Sequence, residues 1–189
     1  LSKHMISRDS NPVWQMPPEQ GTTLCRVFDI PLQVEWREGR IVRAQWWIEK
    51  FSRSLQESEV STGETLPIDP FTQHLVELSL VNPQSIYPWL ARQGSQFSLQ
   101  MRDLLLTIQP GSTLTYGQLA ARMGSRGARG VAQSLSRNQI PWFVPCHRIT
   151  GSGGNLGGYT VGGCTQQEGT AIKQRLLLQE KCYVSEARY

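Results

Sequence analysis

Two hydrophobic patterns divide the chain, with alternation in the first half and helical spacing in the second. Alternation is clearest around Glu38-Gly39, where apolar residues occupy every second position: Leu32, Val34 and Trp36 before the turn, and Val42, Ala44 and Trp46 after it. Period-two alternation around a glycine turn predicts a β-hairpin with one buried face. We expect residues 23–30 to add a third strand, residues 52–65 to form a loop, and residues 72–80 to form a short helix.

The second half has the spacing of short amphipathic helices. Five apolar residues share one helical face after Ser95, a suitable N-cap: Phe97, Met101, Leu104, Leu105 and Ile108. Thr115 and Gln118 have the spacing of a capping box that opens a second helix, Gly124 ends it, and a third helix is expected over residues 127–137. A last helix is expected over residues 170–181.

The second and third of these helices predict a helix-turn-helix, because they are short and joined by a glycine turn. In many proteins the second helix of this motif contacts DNA. The alternative is an ordinary helical hairpin with no nucleic-acid partner.

The order of the patterns predicts an α+β chain in two parts. Its 189 residues allow one domain or two small ones. We expect residues 5–91 to form a small antiparallel sheet domain and residues 92–189 a mostly helical domain. Residues 1–4, which precede Met5, are interpreted as an expression-tag remnant outside the fold.

Charge is spread unevenly along the chain, whose formal net charge is +4. No Asp or Glu occurs between residues 104 and 163, whereas five arginines do: Arg122, Arg126, Arg129, Arg137 and Arg148. An acid-free basic segment is typical of a surface that meets a polyanion, most commonly nucleic acid. The alternative is a solvated surface that lacks carboxylates.

The four cysteines show neither a Cys-x-x-Cys pair nor regular spacing. This pattern disfavours a zinc ribbon or a disulfide framework and favours reduced thiols inside a cell. Cys25 and His74 are isolated candidates, so no metal site is predicted. No apolar run is long enough to cross a bilayer, and we expect neither membrane association nor a signal peptide.

The run from Ile140 to Ile149 carries the candidate chemistry. Its apolar residues predict a short buried strand that ends at Pro145, directly before Cys146. His147 and Arg148 would favour the thiolate form of Cys146, because positive charge or a general base lowers the pKa of a thiol. The alternative is that Cys146 is a small core residue.

A glycine-rich loop over residues 151–159 follows the cysteine. It lacks the Gly-Lys-Ser/Thr ending of a phosphate-binding loop and does not join a strand to a helix. Its glycines favour a close approach of backbone to a flat ligand. The alternative is a flexible connector.

Together these blocks resemble the O6-alkylguanine-DNA alkyltransferases. Pro145-Cys146-His147-Arg148-Ile149 is similar to the active-site signature of that family, and blocks at 116–120, 128–131, 137–138 and 157–159 lie at its spacing. Several blocks in register are specific. The similarity covers residues 97–180; before them the family has a variable ribonuclease-H-like sheet domain, which the first half resembles only in architecture.

The resemblance implies direct repair of O6-alkylated guanine in DNA, and it leaves open O4-alkylthymine as a second substrate. The lesion base is flipped out of the duplex, and the thiolate attacks its alkyl carbon. No cofactor is needed, because the protein keeps the alkyl group as a thioether and each molecule acts once.

Carried over residue by residue, the resemblance makes Cys146 the nucleophile, His147 a base that acts through a water, and Glu180 the group that orients His147. Asn138 corresponds to a hinge asparagine that helps to order the thiol. Tyr116 corresponds to a tyrosine that supports the leaving base and crowds the phosphate. Three residues match positions that line the guanine pocket: Ile149, Tyr159 and Thr160.

For DNA, Arg129 corresponds to an arginine finger that enters the base stack. The family lays the second helix of the motif in the minor groove, which needs small residues, and four fit: Gly127, Ala128, Gly130 and Ala132. Gln133 departs from this pattern, and Gln139 replaces the usual proline after the hinge asparagine. The chain is longer than the common pattern between residues 163 and 172, which affects the match at Glu180.

The resemblance further implies double-stranded DNA as the partner and a monomer in solution. It also implies the cytoplasm of a prokaryote or the nucleus of a eukaryote. One alternative is a lesion-binding protein that flips the base without removing the alkyl group, although such relatives lack the reactive cysteine. The other is a cysteine hydrolase, which is disfavoured because adjacent residues on a strand, here Cys146 and His147, point to opposite faces.

Overall fold

Three antiparallel strands in the order β1-β2-β3 form the first sheet of this computed structural model, which describes residues 17–47, 68–124, 127–160 and 164–187. The strands are β1 (Gln20–Val27), β2 (Ile30–Arg37) and β3 (Arg40–Trp46). The predicted hairpin is confirmed: Glu38 and Gly39 have φ of 51° and 67°, as a two-residue type I′ turn requires. The proposed tag remnant 1–4 and the loop 52–65 lie outside the described residues.

Strand β1 ends earlier than the predicted range 23–30. Phe28 and Asp29 form a tight turn, with Phe28 at φ 56°, and Val27 pairs with Ile30, the first residue of β2. A positive φ is uncommon for an aromatic residue. Phe28 meets the ring of Trp142 edge-on, with 5.7 Å between centroids, so a contact with the second half of the chain holds this turn.

A register shift in the hairpin changes which residues of β3 are buried. The shift lies between Glu35 and Trp36 of β2. A bulge sets two residues of one strand against one residue of its partner, so the alternation breaks there. The buried residues of β3 are therefore Ile41, Ala44 and Trp46, whereas Val42, which was predicted to share their face, is only partly buried.

Helix α1 (Pro70–Val81) packs against β1 and confirms the helix predicted over residues 72–80. It begins earlier because Asp69 caps it: the carboxylate accepts from the Thr72 N–H at 2.7 Å, and Pro70 occupies the first turn. A 3₁₀ helix (Pro83–Trp89) then leads to Leu90, which bridges to Ile41 of β3.

Three helices lie between Leu90 and Cys146 in the described part of the chain: α2 (Gln96–Leu105), α3 (Tyr116–Arg122) and α4 (Ala128–Leu135). Both predicted start signals are confirmed. Ser95 caps α2, and Thr115 and Gln118 form the capping box of α3. α2 and α4 are shorter than the predictions that ended at residues 108 and 137, because their last predicted residues form turns. The helix-turn-helix pair packs through buried residues: Leu119, Ala120, Val131 and Leu135.

The apolar run before Cys146 is a turn, so the predicted buried strand is wrong. Pro141 and Pro145 cannot donate to a strand ladder, and Trp142 has φ 73°. Only an isolated bridge links Pro141 to Val144 within this run. Cys146 therefore opens a 3₁₀ turn (Cys146–Arg148), and the alternation of side chains along a strand does not apply to it. The turn continues into β5 (Ile149–Thr150), which is parallel to β4 (Leu114–Thr115).

The last helix, α5 (Gln166–Glu186), extends beyond the predicted range 170–181. It begins early because Thr165 and Glu168 form a second capping box. Its buried face contains the predicted Ile172, Leu176 and Leu177, together with two charged residues, Lys173 and Glu180. None of the described helices is both long and apolar enough to span a membrane.

The sheet and the helical part are in direct contact. Besides the aromatic contact at Trp142, the Ala44 N–H donates to the Gln139 carbonyl at 2.8 Å, and Asp29 pairs with Arg175 of α5. The α+β organisation in two parts is confirmed. These contacts bring the sheet directly behind the segment that holds Cys146.

Candidate active site

Cys146 is held by its own turn and by Asn138. Its backbone N–H donates to the Val144 carbonyl at 2.8 Å, and the residue is 4% exposed. Asn138 Nδ2 donates to Cys146 Sγ at 3.0 Å and to the Val144 carbonyl at 2.9 Å. Asn138 Oδ1 accepts from the Ile140 N–H at 3.0 Å. One amide side chain therefore fixes both the turn and the sulfur.

Burial is the largest influence on the thiol and raises the pKa of Cys146. Asn138 and the ammonium of Lys173 act in the opposite direction, because a hydrogen-bond donor and a positive charge both favour the thiolate. The thiol is therefore the main form at neutral pH. Reaction at this sulfur requires a base to remove its proton and charge to compensate the anion.

A cavity of about 240 Å³ opens at the thiol. Its lining comes from three elements and the glycine loop: Tyr116, Ala132, Leu135, Ser136, Cys146, Gly158, Tyr159 and Thr160. Three of these residues belong to α4 or follow it directly, so the cavity joins the sulfur to the second helix of the helix-turn-helix. A larger cavity, of about 410 Å³, lies between α2 and the end of α4, and Cys146 does not line it.

A buried carboxylate, that of Glu180, binds both residues that follow Cys146. His147 Nε2 lies 2.9 Å from Glu180 Oε1, and Arg148 donates to the same oxygen from Nε at 3.0 Å and from Nη2 at 2.7 Å. The Gly111 N–H donates to Glu180 Oε2 at 3.1 Å. Burial alone would raise the pKa of Glu180, but His147 and Arg148 outweigh it and lower that pKa to about 2. The carboxylate is thus ionised, and it fixes the imidazole.

The partner of His147 decides which ring nitrogen can accept a proton. Glu180 is an acceptor, so in the neutral ring Nε2 carries the hydrogen and Nδ1 has the lone pair. Burial lowers the pKa of His147 although Glu180 opposes this effect, so the imidazole is neutral at neutral pH. Nδ1 is buried and has no hydrogen-bond partner among the described residues. It is therefore chemically available as a base.

The indole of Trp142 stacks on a face of the His147 imidazole. The two ring centroids are 5.4 Å apart and the planes differ by 5°. Trp142 is not among the predicted site residues, because it reaches His147 across a turn that was predicted to be a strand. Phe28 touches the same indole, so the sheet supports the ring that supports His147.

The positive charge close to the thiol is the ammonium of Lys173 in α5. The sequence had predicted Arg148 for this role. The Arg148 guanidinium is used by Glu180 and by the Ile108 carbonyl, which accepts from Nη1 at 2.6 Å. Lys173 was missed. A signal was available, since Lys173 precedes Glu180 by seven residues, which is two helical turns and sets both side chains on one face.

Tyr116 and the glycine loop close one side of the cavity. The Tyr116 hydroxyl donates to the Gly158 carbonyl at 3.3 Å. A Cβ atom on Gly157 would lie 2.8 Å from the Tyr116 ring, and Gly157 has φ 69°, so glycine is needed there for two reasons. The backbone of the loop thus lies close to a flat group, and that group is the Tyr116 side chain.

Tyr159 also lines the cavity, and its position depends on Gly169 of α5. Tyr159 is buried, and a Cβ on Gly169 would lie 1.5 Å from its carbonyl oxygen. The helix can therefore lie against the Tyr159 backbone only where a side chain is missing. Gly169 was not recognised in the sequence, because its constraint comes from a residue outside its own helix.

The remaining predicted site residues lie around the mouth of the cavity or behind it. Ile149 is fully buried, does not line the cavity, and accepts from Lys173 through its carbonyl at 2.5 Å. Ala132 lines the cavity and is partly buried. The others are exposed: Gly127, Ala128, Arg129, Gly130, Gln133 and Thr160.

Metal-binding side chains do not gather in the described part of the chain. No three His, Cys, Asp or Glu side chains there have an arrangement that could hold a metal ion. Cys25 is buried in the sheet, and its thiol donates to the Leu32 carbonyl with 3.6 Å between Sγ and oxygen. Burial raises its pKa, which disfavours the thiolate that a metal requires.

The sequence and the fold are both similar to known proteins. Residues 96–182 match the family described as 6-O-methylguanine DNA methyltransferase, DNA binding domain. A methylated-DNA–protein-cysteine methyltransferase of Methanothermobacter thermautotrophicus is 42% identical over 86 residues, which are 46% of this chain and 44% of that protein. The match therefore spans less than half of the relative's length.

Two solved structures share the fold. Mycobacterium tuberculosis OGT in complex with DNA has a TM-score of 0.52 and 26% identity, with 80% of this chain and 87% of that chain covered. The O6-methylguanine-DNA methyltransferase of Pyrococcus kodakaraensis has a TM-score of 0.58 and 23% identity, with 84% and 97% covered.

Proposed function

We propose that this chain, whose residues 96–182 match the 6-O-methylguanine DNA methyltransferase family, repairs O6-alkylguanine in DNA by one permanent transfer of the alkyl group to Cys146. The observation that carries the proposal is the position of the sulfur. It lies at a cavity whose lining continues into α4, the helix that bears the exposed Arg129. The DNA complex of the M. tuberculosis structure supports DNA as the partner.

In the proposed complex, one molecule lays α4 in the minor groove. Three of the exposed residues at the start of this helix are small, which suits a narrow groove: Gly127, Ala128 and Gly130. The surrounding segment contains no carboxylate that would repel phosphate. Gln133 is exposed one turn further on and is long enough to bind a base edge or a phosphate.

The cavity is proposed to receive the flipped base. A thiol that is 4% exposed cannot reach an alkyl group inside the duplex, so the base must leave the stack. Tyr116 and Tyr159 line the cavity and can offer flat surfaces to a purine, and the exposed Thr160 adds a hydroxyl. Arg129 would fill the gap left in the DNA, where its planar guanidinium can stack on the neighbouring bases.

The chemistry is a proton transfer followed by a displacement. The Cys146 proton passes through a water to Nδ1 of His147, and the resulting imidazolium is paired with Glu180. The sulfur then forms a bond to the alkyl carbon while the bond from that carbon to O6 breaks. The electron pair stays on the base, which leaves as a guanine anion and takes up a proton. The products are S-alkylcysteine and guanine, and no other reactant is required.

The test is a repair assay with a duplex that contains O6-methylguanine in excess over protein. The proposal predicts that restored guanine reaches one equivalent of protein and then stops, and that Cys146→Ala restores none. Cys182→Ala, which removes an exposed cysteine, is the matched control and should behave as wild type. Selective binding of the lesion without restored guanine would instead assign the chain to the lesion-binding proteins, and repeated turnover of an ester without DNA would identify a hydrolase.

A further inference from the structure

The first turn of α5 lies against the loop that forms part of the cavity wall. Gly158, Tyr159 and Thr160 line the cavity, and the first two of them touch this turn. A Cβ atom on Gly158 would lie 3.3 Å from Nε2 and 3.5 Å from Oε1 of Gln166, so the Gln166 amide lies against the backbone there. Gly169 approaches the Tyr159 carbonyl so closely that only a glycine fits. The position of this wall therefore depends on the first turn of α5.

The capping box holds that turn in place. The Thr165 hydroxyl accepts from the Glu168 N–H at 3.4 Å, and the Glu168 carboxylate accepts from the Thr165 N–H at 2.8 Å and from its hydroxyl at 2.7 Å. The Gly169 N–H then donates to the Thr165 carbonyl at 2.9 Å and closes the turn. Thr165 and Gln166 are exposed, so burial of these two side chains does not fix the turn. Its local support comes from the capping bonds.

We infer that the capped first turn of α5 limits the size of the alkyl group that the cavity accepts. This inference rests on the function proposed above and deepens it, since it concerns which O6 substituents are transferred to Cys146. A substituent larger than methyl needs more space beside the sulfur, and the backbone of residues 158–160 must yield to provide it. While the turn is formed, Gln166 and Gly169 oppose that movement.

The size limit is a feature of this chain, because the turn falls between residues 163 and 172, where the chain is longer than the common pattern. Its strength follows from the cap. Loss of a side-chain cap shifts the equilibrium between a formed and a frayed first turn by roughly fivefold. A frayed turn leaves the loop free to yield to a bulky group, whereas a methyl group needs no such movement. Loss of the cap should therefore change the preference between substrates more than it changes the rate with the small one.

The test compares single-turnover rates with two duplexes that differ only in the lesion, O6-methylguanine or O6-benzylguanine. Both lesions require the same base flipping, so the ratio of the benzyl rate to the methyl rate reports the space at the sulfur. Thr165→Ala is predicted to raise this ratio by about twofold to fivefold, the size of effect expected from the loss of a cap. Gln166→Ala, which removes the amide that lies against Gly158, should raise it as well.

Matched variants separate the position of this turn from general stability. Ser95→Ala removes the N-cap of α2, whose first turn does not line the cavity, and should leave the ratio unchanged. Gln167→Ala shortens an exposed neighbour in the same turn and should also leave it unchanged. Glu168→Gln keeps an acceptor for the Thr165 N–H and should preserve the ratio, whereas Glu168→Ala should raise it.

An unchanged or lowered ratio in folded Thr165→Ala or folded Gln166→Ala would overturn the inference, and so would an equal rise in Ser95→Ala. If Thr165→Ala does not fold, Gln166→Ala decides, because it alters only an exposed side chain. Failure of the proposed function would look different. A wild-type protein that transfers neither group to Cys146 would refute repair itself, whereas transfer of both groups with a ratio that does not respond to this turn would refute the size limit alone.

Discussion

The indole of Trp142 and the imidazole of His147 lie nearly parallel, with planes 5° apart and centroids separated by 5.4 Å. Glu180 holds the edge of the same imidazole, and Phe28, in the turn between β1 and β2, touches the indole edge-on. The proposed base is thus fixed from two directions. One of them is a hydrogen bond within the helical part, and the other is an aromatic contact that begins in the sheet.

We predict that Trp142→Ala slows alkyl transfer by about tenfold to a hundredfold, because a base displaced by about 1 Å loses productive geometry. Trp142→Phe keeps a ring on the imidazole and should stay within a few fold of wild type. The measurement is the single-turnover rate with O6-benzylguanine, with chemical denaturation as a check that each variant is folded. Equal rates for a folded Trp142→Ala would show that the stack does not position His147.

Removing Arg129 should separate DNA handling from chemistry. Arg129→Ala is predicted to slow repair of an O6-methylguanine duplex by at least about tenfold, because a part of the unstacking cost of a few kcal/mol is no longer offset. Its rate with the free base O6-benzylguanine should not change, since that substrate needs no flipping. Arg43→Ala removes an exposed charge from β3 and serves as the control. A loss of the same size with both substrates would place Arg129 in the chemistry and contradict its assignment to DNA.

Gly169 and Gly130 provide opposite predictions for the same substitution. In Gly169→Ala the new Cβ would overlap the Tyr159 carbonyl, so we expect a loss of about 1–3 kcal/mol in the free energy of unfolding, or more. In Gly130→Ala no atom lies within 4 Å of the new Cβ, and the helical position should gain up to about 1 kcal/mol. Urea denaturation of both variants checks this. If Gly169→Ala were as stable as Gly130→Ala, α5 could not lie against Tyr159 as described.

Glu180 should make the protein sensitive to acid. Its pKa is lowered from 4.5 to about 2, so its contribution to stability is complete above pH 4.5 and is lost as the pH falls from 4.5 towards 2. A shift of this size corresponds to roughly 3 kcal/mol. The free energy of unfolding, measured by urea denaturation across this range, should decrease in wild type and depend less on pH in Glu180→Gln. Parallel acid profiles for the two proteins would mean that the Glu180 carboxylate is not held by His147 and Arg148.

Local signals in the sequence were sufficient for several elements. Ser95, Thr115 and Gln118 cap helices through residues only three positions away, so their spacing in the sequence defines the bond. The hairpin turn at Glu38-Gly39 is equally local. The strand predicted before Cys146 is wrong. The apolar residues at 140–145 favoured a strand, but Pro141 and Pro145 lack two of the six backbone N–H donors that a strand would use.

The parts of the site that could not be predicted depend on residues far apart in the chain. Phe28 reaches Trp142, and Lys173 reaches the carbonyl of Ile149, and no period or cap connects these positions. Val42 is not buried because it is the extra residue of a bulge in β3: Glu35 pairs with Arg43 and Trp36 pairs with Ile41, so Val42 has no partner in the register. Lys173 also lies on the buried face of α5 beside Ile172 and Leu176. A charged residue does not contribute to the apolar periodicity by which such a face is predicted.

The most direct test of the central claim is mass spectrometry of the protein after incubation with a duplex that carries one O6-methylguanine. The account predicts that each chain gains the mass of one methyl group, that the added mass lies on the peptide containing Cys146, and that the DNA now contains guanine. Cys146 left unmodified while the lesion disappears, or bound lesion with neither product formed, would contradict it.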